Sequence, residues 1–136
     1  MGSPAVTISY EDAIAQITGP GGRYETEEVE VRGVTYTAFK GAPGSLRDLF
    51  DLTRLYGDTT FLVYEDESYT YAQVYEIADG VTAALAGRYG VQKGDRVAIA
   101  MRNYPEWIFA YLGAIAAGAV VVSMNAWWTA EEMAYG

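Results

Sequence analysis

The sequence predicts an α/β fold, a partial parallel sheet with flanking helices, preceded by a β-hairpin. Three observations predict it. From about residue 60 onward, apolar strand-like runs alternate with amphipathic helical stretches, the order that βαβ crossovers require. The runs Val97–Met101 and Ala119–Met124 are apolar without alternation, as in parallel strands covered on both faces. Helix starts recur as capping boxes, in which a Ser, Thr or Asn faces an acid or amide three residues on.

Ser9-Tyr-Glu-Asp12 predicts a short helix ending at Thr18, and Gly19–Gly22 (GPGG) predicts the turn after it. That glycine cluster has no following Lys-Ser/Thr and no preceding strand, so it reads as a turn and not as a phosphate loop. Val29, Val31, Val34, Tyr36 and Ala38 alternate with polar residues around Arg32-Gly33, predicting a hairpin with one buried face. Lys40–Gly44 reads as a linker, which divides the chain into 1–44 (helix, hairpin and linker) and 45–136 (an α/β subdomain).

Ser45-Leu-Arg-Asp48 opens the next helix, with Leu46, Leu49, Phe50 and Tyr56 on one side and Gly57 as its stop. Thr60–Glu65 reads as a strand and Ser68–Thr70 as a short return. Thr70-Tyr-Ala-Gln73 caps a helix whose apolar stripe is Val74, Ile77, Ala78, Val81 and Leu85, with Gly90 at its end. Lys93-Gly94-Asp95 turns into Val97–Met101. Asn103-Tyr-Pro-Glu106 reads as a capping box for a helix from Tyr104 to about Ala117, with Pro105 in the first turn where its missing N–H costs little. Thr129 and Glu132 begin a last helix immediately before Gly136, which raises the expectation that the chain is a piece of a longer protein.

Composition narrows the chemistry. The 136 residues carry a net charge of -9, which disfavours nucleic acid and anionic membrane as partners. There is no cysteine and no histidine, so disulfides, thiol nucleophiles, Ser-His-Asp triads and the usual zinc sites are excluded. Lys40 and Lys93 are the two lysines. Met1–Thr18 lacks a basic start and carries Glu11 and Asp12, unlike a signal peptide. The apolar stretch Trp107–Met124 splits into a helix and a strand better than it spans a membrane. The expected compartment is the cytoplasm.

The stretch Tyr69–Gly136 resembles the N-terminal part of an adenylate-forming ligase of the acyl-CoA synthetase and AMP-binding superfamily, most closely its fatty-acyl-CoA synthetases. Tyr69-Thr70-Tyr71 is similar to the family's first core motif, Gly94-Asp95-Arg96-Val97 to its turn into a strand, and Asn103–Trp107 (NYPEW) to the next helix start. Ala114–Asn125 (AIAAGAVVVSMN) resembles the second core motif, and Asn125–Tyr135 (NAWWTAEEMAY) the acyl-CoA synthetase branch. The family usually has Pro where Ser123 stands and often Glu where Gln73 stands. The resemblance implies a two-step reaction in the full-length enzyme. A carboxylate and ATP form an acyl-adenylate, and CoA then takes the acyl group as a thioester. ATP, Mg²⁺ and CoA are its implied cofactors. The family's phosphate loop ending in Pro-Lys-Gly, its aromatic-acid motif and its C-terminal catalytic lysine are not in this sequence, so no catalytic residue, no metal ligand and no cofactor bound by this stretch alone is expected.

Ligands in open α/β sheets sit beyond the carboxyl ends of the strands. Arg102-Asn103-Tyr104 and Asn125–Trp128 meet that condition, making Asn103, Tyr104, Asn125, Trp127 and Trp128 the substrate-edge candidates. The tryptophans suit either an acyl pocket or, more in keeping with the burial habit of Trp, packing against the remainder of the adenylate-forming enzyme. Thr70 and Asp95 read as cap and turn, Trp107, Phe109 and Tyr111 as core, and Glu131-Glu132 as helix-start charges. Two classes of function follow: part of an acyl-CoA synthetase, inactive alone, or a free-standing non-catalytic interaction module of the same fold. An uncovered sheet edge beside Trp127 and Trp128 raises the expectation of a homodimer through the C-terminal end.

Overall fold

The structure is a computed structural model, and it describes residues 8–136. The first seven residues of the segment read for a signal peptide lie outside the described residues. The chain falls into two compact units, one ending at Pro43 and the other beginning at Gly44.

In the first unit, helix α1 (Tyr10–Thr18) precedes the antiparallel strands β1 (Thr26–Val31) and β2 (Val34–Phe39). Arg32 and Gly33 both take positive φ, 53° and 81°, the two-residue turn whose twist suits a hairpin. Val29 faces Tyr36 and Val31 faces Val34 across the ladder, as the alternation predicts. The predicted burial of that face does not occur: Val31, Val34 and Tyr36 are each about half exposed. Alternation determines which side chains share a face, and a second layer is needed to bury it.

The second unit begins with α2 (Leu46–Asp51), which tightens into a 3₁₀ segment, Leu52–Tyr56, before Gly57 at φ 45°. This change of pitch carries Tyr56 off the expected helical face and onto the Tyr71 ring at 5.1 Å. Leu46 and Leu49 are exposed. Strands β3 (Thr60–Tyr64) and β4 (Glu67–Thr70) pair antiparallel in a sheet of their own. This corrects the reading of Thr60–Glu65 as the first strand of a parallel series. The Glu65-Asp66 connection, with Glu65 at φ 50°, is too short for anything but a hairpin.

Helix α3 (Tyr71–Ala83) opens with both bonds of its capping box made, between Thr70 and Gln73, and loosens into a π turn over Ala84–Arg88. Strand β5 (Arg96–Ile99), helix α4 (Pro105–Ala116) and strand β6 (Val120–Ser123) form the parallel crossover, with Ile99 opposite Ser123. The apolar stretch Trp107–Met124 is thus divided between a helix and a strand. No helix among the described residues is long and apolar enough to cross a membrane. Helix α5 (Ala130–Tyr135) closes the described chain, capped reciprocally by Thr129 and Glu132.

The core forms where α3 crosses α4. Val74, Tyr75, Ala78, Phe109 and Leu112 are buried there, with Phe50, Leu62, Tyr69 and Ile108 packed around them. Ile77, placed in the α3 stripe by its spacing, is 38% exposed, and Tyr75 takes the buried position instead. The Tyr75 hydroxyl reaches the Phe50 carbonyl at 2.5 Å and the Thr53 hydroxyl at 2.7 Å, which makes burial of its polar end tolerable. The β5–β6 pair is not covered on both faces. Ile99 is buried and Val97 half-buried, while Ala98 and Val120 are exposed. Helix α4 covers one face, and no other helix of the second unit packs closely against these strands.

Candidate functional site

Parallel pairing sends the chain out of β5 and β6 at the same end. The Met124 N–H donates to the Ile99 carbonyl at 3.0 Å, so the two exits stay side by side for one residue beyond the ladder. The β5 exit then turns sharply, with the Tyr104 N–H donating to the Arg102 carbonyl at 2.8 Å, and Pro105 starts α4. No side chain caps this helix. Asn103, read as its N-cap, stands one position too early: Tyr104 holds the N-cap place, and the Asn103 amide is left in the loop.

The β6 exit is shaped by Asn125. Its side-chain oxygen accepts from the Trp127 N–H at 3.0 Å, and its carbonyl accepts from the Trp128 N–H at 3.1 Å. This Asx turn holds Trp127 outward, 75% exposed. The Arg102 guanidinium lies over the Trp127 ring, 3.9 Å from its centre, and so ties the two loops together.

Between the loops is a cleft of about 660 Å³. Arg102, Asn103, Tyr104, Asn125 and Trp127 line it from the two exits. Tyr64, at the end of β3, closes one side, its ring meeting that of Tyr104 edge to face at 5.6 Å. Trp107, in the first turn of α4, Ser123, the last residue of β6, and Met101, Met124 and Ala126 complete the wall. Partial burial, and then the neighbouring Glu65 carboxylate, push the Tyr64 hydroxyl above its ordinary value.

Four of the five residues singled out by sequence therefore line one cleft. Trp128 lies outside it. Its ring turns toward the C-terminal end, where a methyl group added at Gly136 would come within 2.5 Å of it. Tyr64 and Trp107 are among the lining residues that the sequence reading did not place there. Tyr64 arrives from a hairpin remote in sequence, for which no local signal exists. Trp107, assigned to the core, follows Tyr104 by three positions, the helical spacing that places two side chains on one face. Asp95, read as a turn residue, accepts from the Gln92 N–H at 2.8 Å and fixes the entry to β5.

The described residues do not fit a triphosphate with Mg²⁺. No group of three or more carboxylates among them converges on a metal-sized space. Of the two lysines, Lys40 is paired with Glu25 at 2.8 Å, and Lys93 lies against Gly118 at the end of α4. What the cleft offers is one guanidinium, two amides, hydroxyls, aromatic faces and the apolar Met101, Met124 and Ala126, a set suited to binding and orientation.

A family profile described as "AMP-binding enzyme" matches residues 50–136. The crotonobetaine/carnitine–CoA ligase of Salmonella paratyphi A is 38% identical over 97 residues, covering 67% of this chain and 19% of the relative, and that of Salmonella typhi matches to the same extent. The chain thus spans about a fifth of the length of these relatives. Among solved structures, the Klebsiella oxytoca NpsA N-terminal subdomain in complex with anthranilyl-AMSN superposes with a TM-score of 0.63 at 26% identity, over 67% of this chain and 24% of that one. The anthranilate CoA ligase AuaEII in complex with anthranoyl-AMP gives 0.63 at 27% identity, over 67% and 18%.

Proposed function

The chain belongs to the AMP-binding enzyme family, and on that premise we propose that it is a part of an ATP-dependent CoA ligase that activates a carboxylic acid as its adenylate and passes the acyl group to CoA. The observation that carries the reading is the match across residues 50–136, which holds the whole β5–α4–β6 crossover and both loops of the cleft. In this reading the α3–α4 core and the crossover are scaffold. The cleft, with Asn103, Tyr104, Asn125 and Trp127, is a surface turned toward substrate, and ATP, Mg²⁺ and CoA are held mainly by residues other than these. The carboxylate is read as a fatty acid on the resemblance of Asn125–Tyr135 to the acyl-CoA synthetase branch alone.

The sequence has no lysine-bearing phosphate loop, and among the described residues no carboxylate set for Mg²⁺ comes together. Electrostatic stabilisation of the transferring groups is the main catalytic term in such chemistry, so no turnover is expected from this chain alone. ATP–pyrophosphate exchange with Mg²⁺, CoA and a panel of carboxylic acids is the assay, and exchange above a no-enzyme blank overturns that expectation. The coding sequence 3′ of the Gly136 codon is the second check. An in-frame Ser/Thr/Gly-rich loop ending in Pro-Lys-Gly supports the ligase reading. A stop codon there favours a non-catalytic module that associates through the exposed Trp127 and Tyr135, which sedimentation velocity would register as species heavier than the monomer.

A further inference from the structure

The hairpin of the first unit has two edges that differ in chemistry. Strand β1 carries Glu27, Glu28 and Glu30, whereas β2 has no charged residue from Val34 to Phe39. The Lys40 N–H donates to the Glu25 carbonyl at 2.8 Å, and bonded and unbonded pairs alternate along an antiparallel ladder. Val34, Tyr36 and Ala38 therefore direct their backbone groups to β1. Thr35, Thr37 and Phe39, opposite Glu30, Glu28 and Thr26, turn theirs outward. Among the described residues no strand takes up this outer edge, since β1 and β2 form a sheet of two. Thr35 and Thr37 are exposed, and the Phe39 carbonyl accepts from the Ala42 N–H at 3.1 Å. A row of open N–H and C=O groups with no charge beside it is the kind of edge that adds a further strand.

We propose that β2 pairs antiparallel with β2 of a second copy of this chain, about a two-fold axis at Thr37, to make a four-stranded sheet in which the two β1 strands are outermost. Self-complementarity identifies the occupant. In that register Thr37 faces Thr37 of the second copy, Thr35 faces its Phe39, and Tyr36 faces its Ala38, so no like charges stand directly opposed. The same operation on the outer edge of β1 sets Glu28 against Glu28, which is destabilising. Charge thus selects β2 and not β1 for the contact. Lys40 comes diagonal to Arg32 of the second copy, but its ammonium is already paired with Glu25 at 2.8 Å. The axis is perpendicular to the sheet, so the apolar faces of the two hairpins join on one side. Val31, Val34 and Tyr36, each about half exposed, then continue into the same residues of the second copy. The contact is one strand edge, so the dimer is a weak one.

Sedimentation velocity on the 136-residue chain tests this from about 5 to about 500 µM, the range in which a small interface associates. The mean mass rises with concentration from 14.8 kDa toward twice that value. Thr37→Lys sets two ammonium groups against each other at the axis and abolishes the rise, and Thr37→Glu does the same with two carboxylates. An equimolar mixture of the two variants associates at least about tenfold more tightly than either alone, because opposite charges now face each other across the axis. Thr37 is exposed, so both variants melt cooperatively. In the unsubstituted chain the Thr35 and Thr37 amides exchange with solvent more slowly as concentration rises, a readout that needs no variant. A chain that stays monomeric at the top of the range, with exchange of those amides independent of concentration, overturns the dimer. Association that survives Thr37→Lys and is lost in Trp127→Ala places the contact at the C-terminal end and also overturns it. A mixture no tighter than its components overturns the register at Thr37.

Discussion

Arg54 holds the 3₁₀ segment to α3 through several bonds at once. Its guanidinium forks onto Asp79 at 2.7 and 3.1 Å, its Nε donates to Asp51 at 2.8 Å, and its plane lies 4.2 Å from the centre of the buried Tyr75 ring. Each contact is partly solvated, so the ion pairs contribute little individually, and the stacking contributes comparably. Arg54→Gln is expected to cost about 1 to 2 kcal/mol in thermal or urea unfolding. The hydrogen bond from Arg54 is the first cause holding the Asp79 carboxyl below its ordinary value. A carboxyl depressed in the folded state stabilises fully above the unfolded value, near pH 4, and loses that contribution as pH falls through the lower folded value. Wild type therefore loses stability on acidification below about pH 4. Arg54→Gln flattens that part of the profile, and parallel acid profiles of the two proteins would contradict the assignment.

At the scale of elements, the approach of α3 to α4 depends on Gly113. A methyl group there would stand 2.6 Å from Val81 Cγ1 and 2.7 Å from Val81 Cβ, with the Ala78 carbonyl oxygen at 3.0 Å. Alanine is the better helix former by about 1 kcal/mol. Overpacking a closed interface costs about 1 to 3 kcal/mol, and because Val81 Cβ is fixed to its backbone, the helices themselves must part. Gly113→Ala is expected to lower the melting temperature by several degrees. Gly80, inside α3, provides the opposite case. A methyl group there meets nothing within 4 Å, so Gly80→Ala gains helix propensity without a clash and is expected to stabilise by about 1 kcal/mol. If calorimetry returns the same sign for both variants, α3 and α4 do not cross at Gly113.

Caps show the same dependence on detail. Gln73 and Glu132 each reach back to the N-cap N–H and close a box, at 2.9 and 2.7 Å. Asp12 and Asp48, one methylene shorter, accept instead from the hydroxyls of Ser9 and Ser45, at 2.8 and 2.7 Å. The serine still caps the helix, and only the return bond changes.

For the molecule as a whole, burial of the β5–β6 sheet is one-sided, and substitutions on its two faces should part accordingly. Ile99 is 4% exposed under α4. Ile99→Asp leaves an unpaired charge in the core at a cost of several kcal/mol, against a total stability of roughly 5 to 15 kcal/mol, and should abolish cooperative melting. Ala98, next along β5, points to the open face, and Ala98→Asp should remain folded. Circular dichroism melts of the pair measure the asymmetry. A cooperatively folded Ile99→Asp variant would show that the sheet is not packed as described.

The sequence by itself determined what is decided within a few residues: the caps at Ser9, Ser45, Thr70 and Thr129, the hairpin turn at Arg32-Gly33, the helix stop at Gly118, and the two apolar strands flanking α4. It also placed both strand exits at one edge of the sheet, because parallel pairing forces successive carboxyl ends to one side. Only the tertiary structure decided that Tyr64 and Trp107 join Arg102, Asn103, Tyr104, Asn125 and Trp127 in one cleft while Trp128 turns away, that β3 pairs with β4, and that the hairpin face of Val31, Val34 and Tyr36 stays exposed. The physical reason is range. A cap or a turn is a bond between neighbours and is written in their identities. Burial and cleft lining depend on which distant surfaces meet, and an apolar residue states its need for a partner without stating which partner answers it.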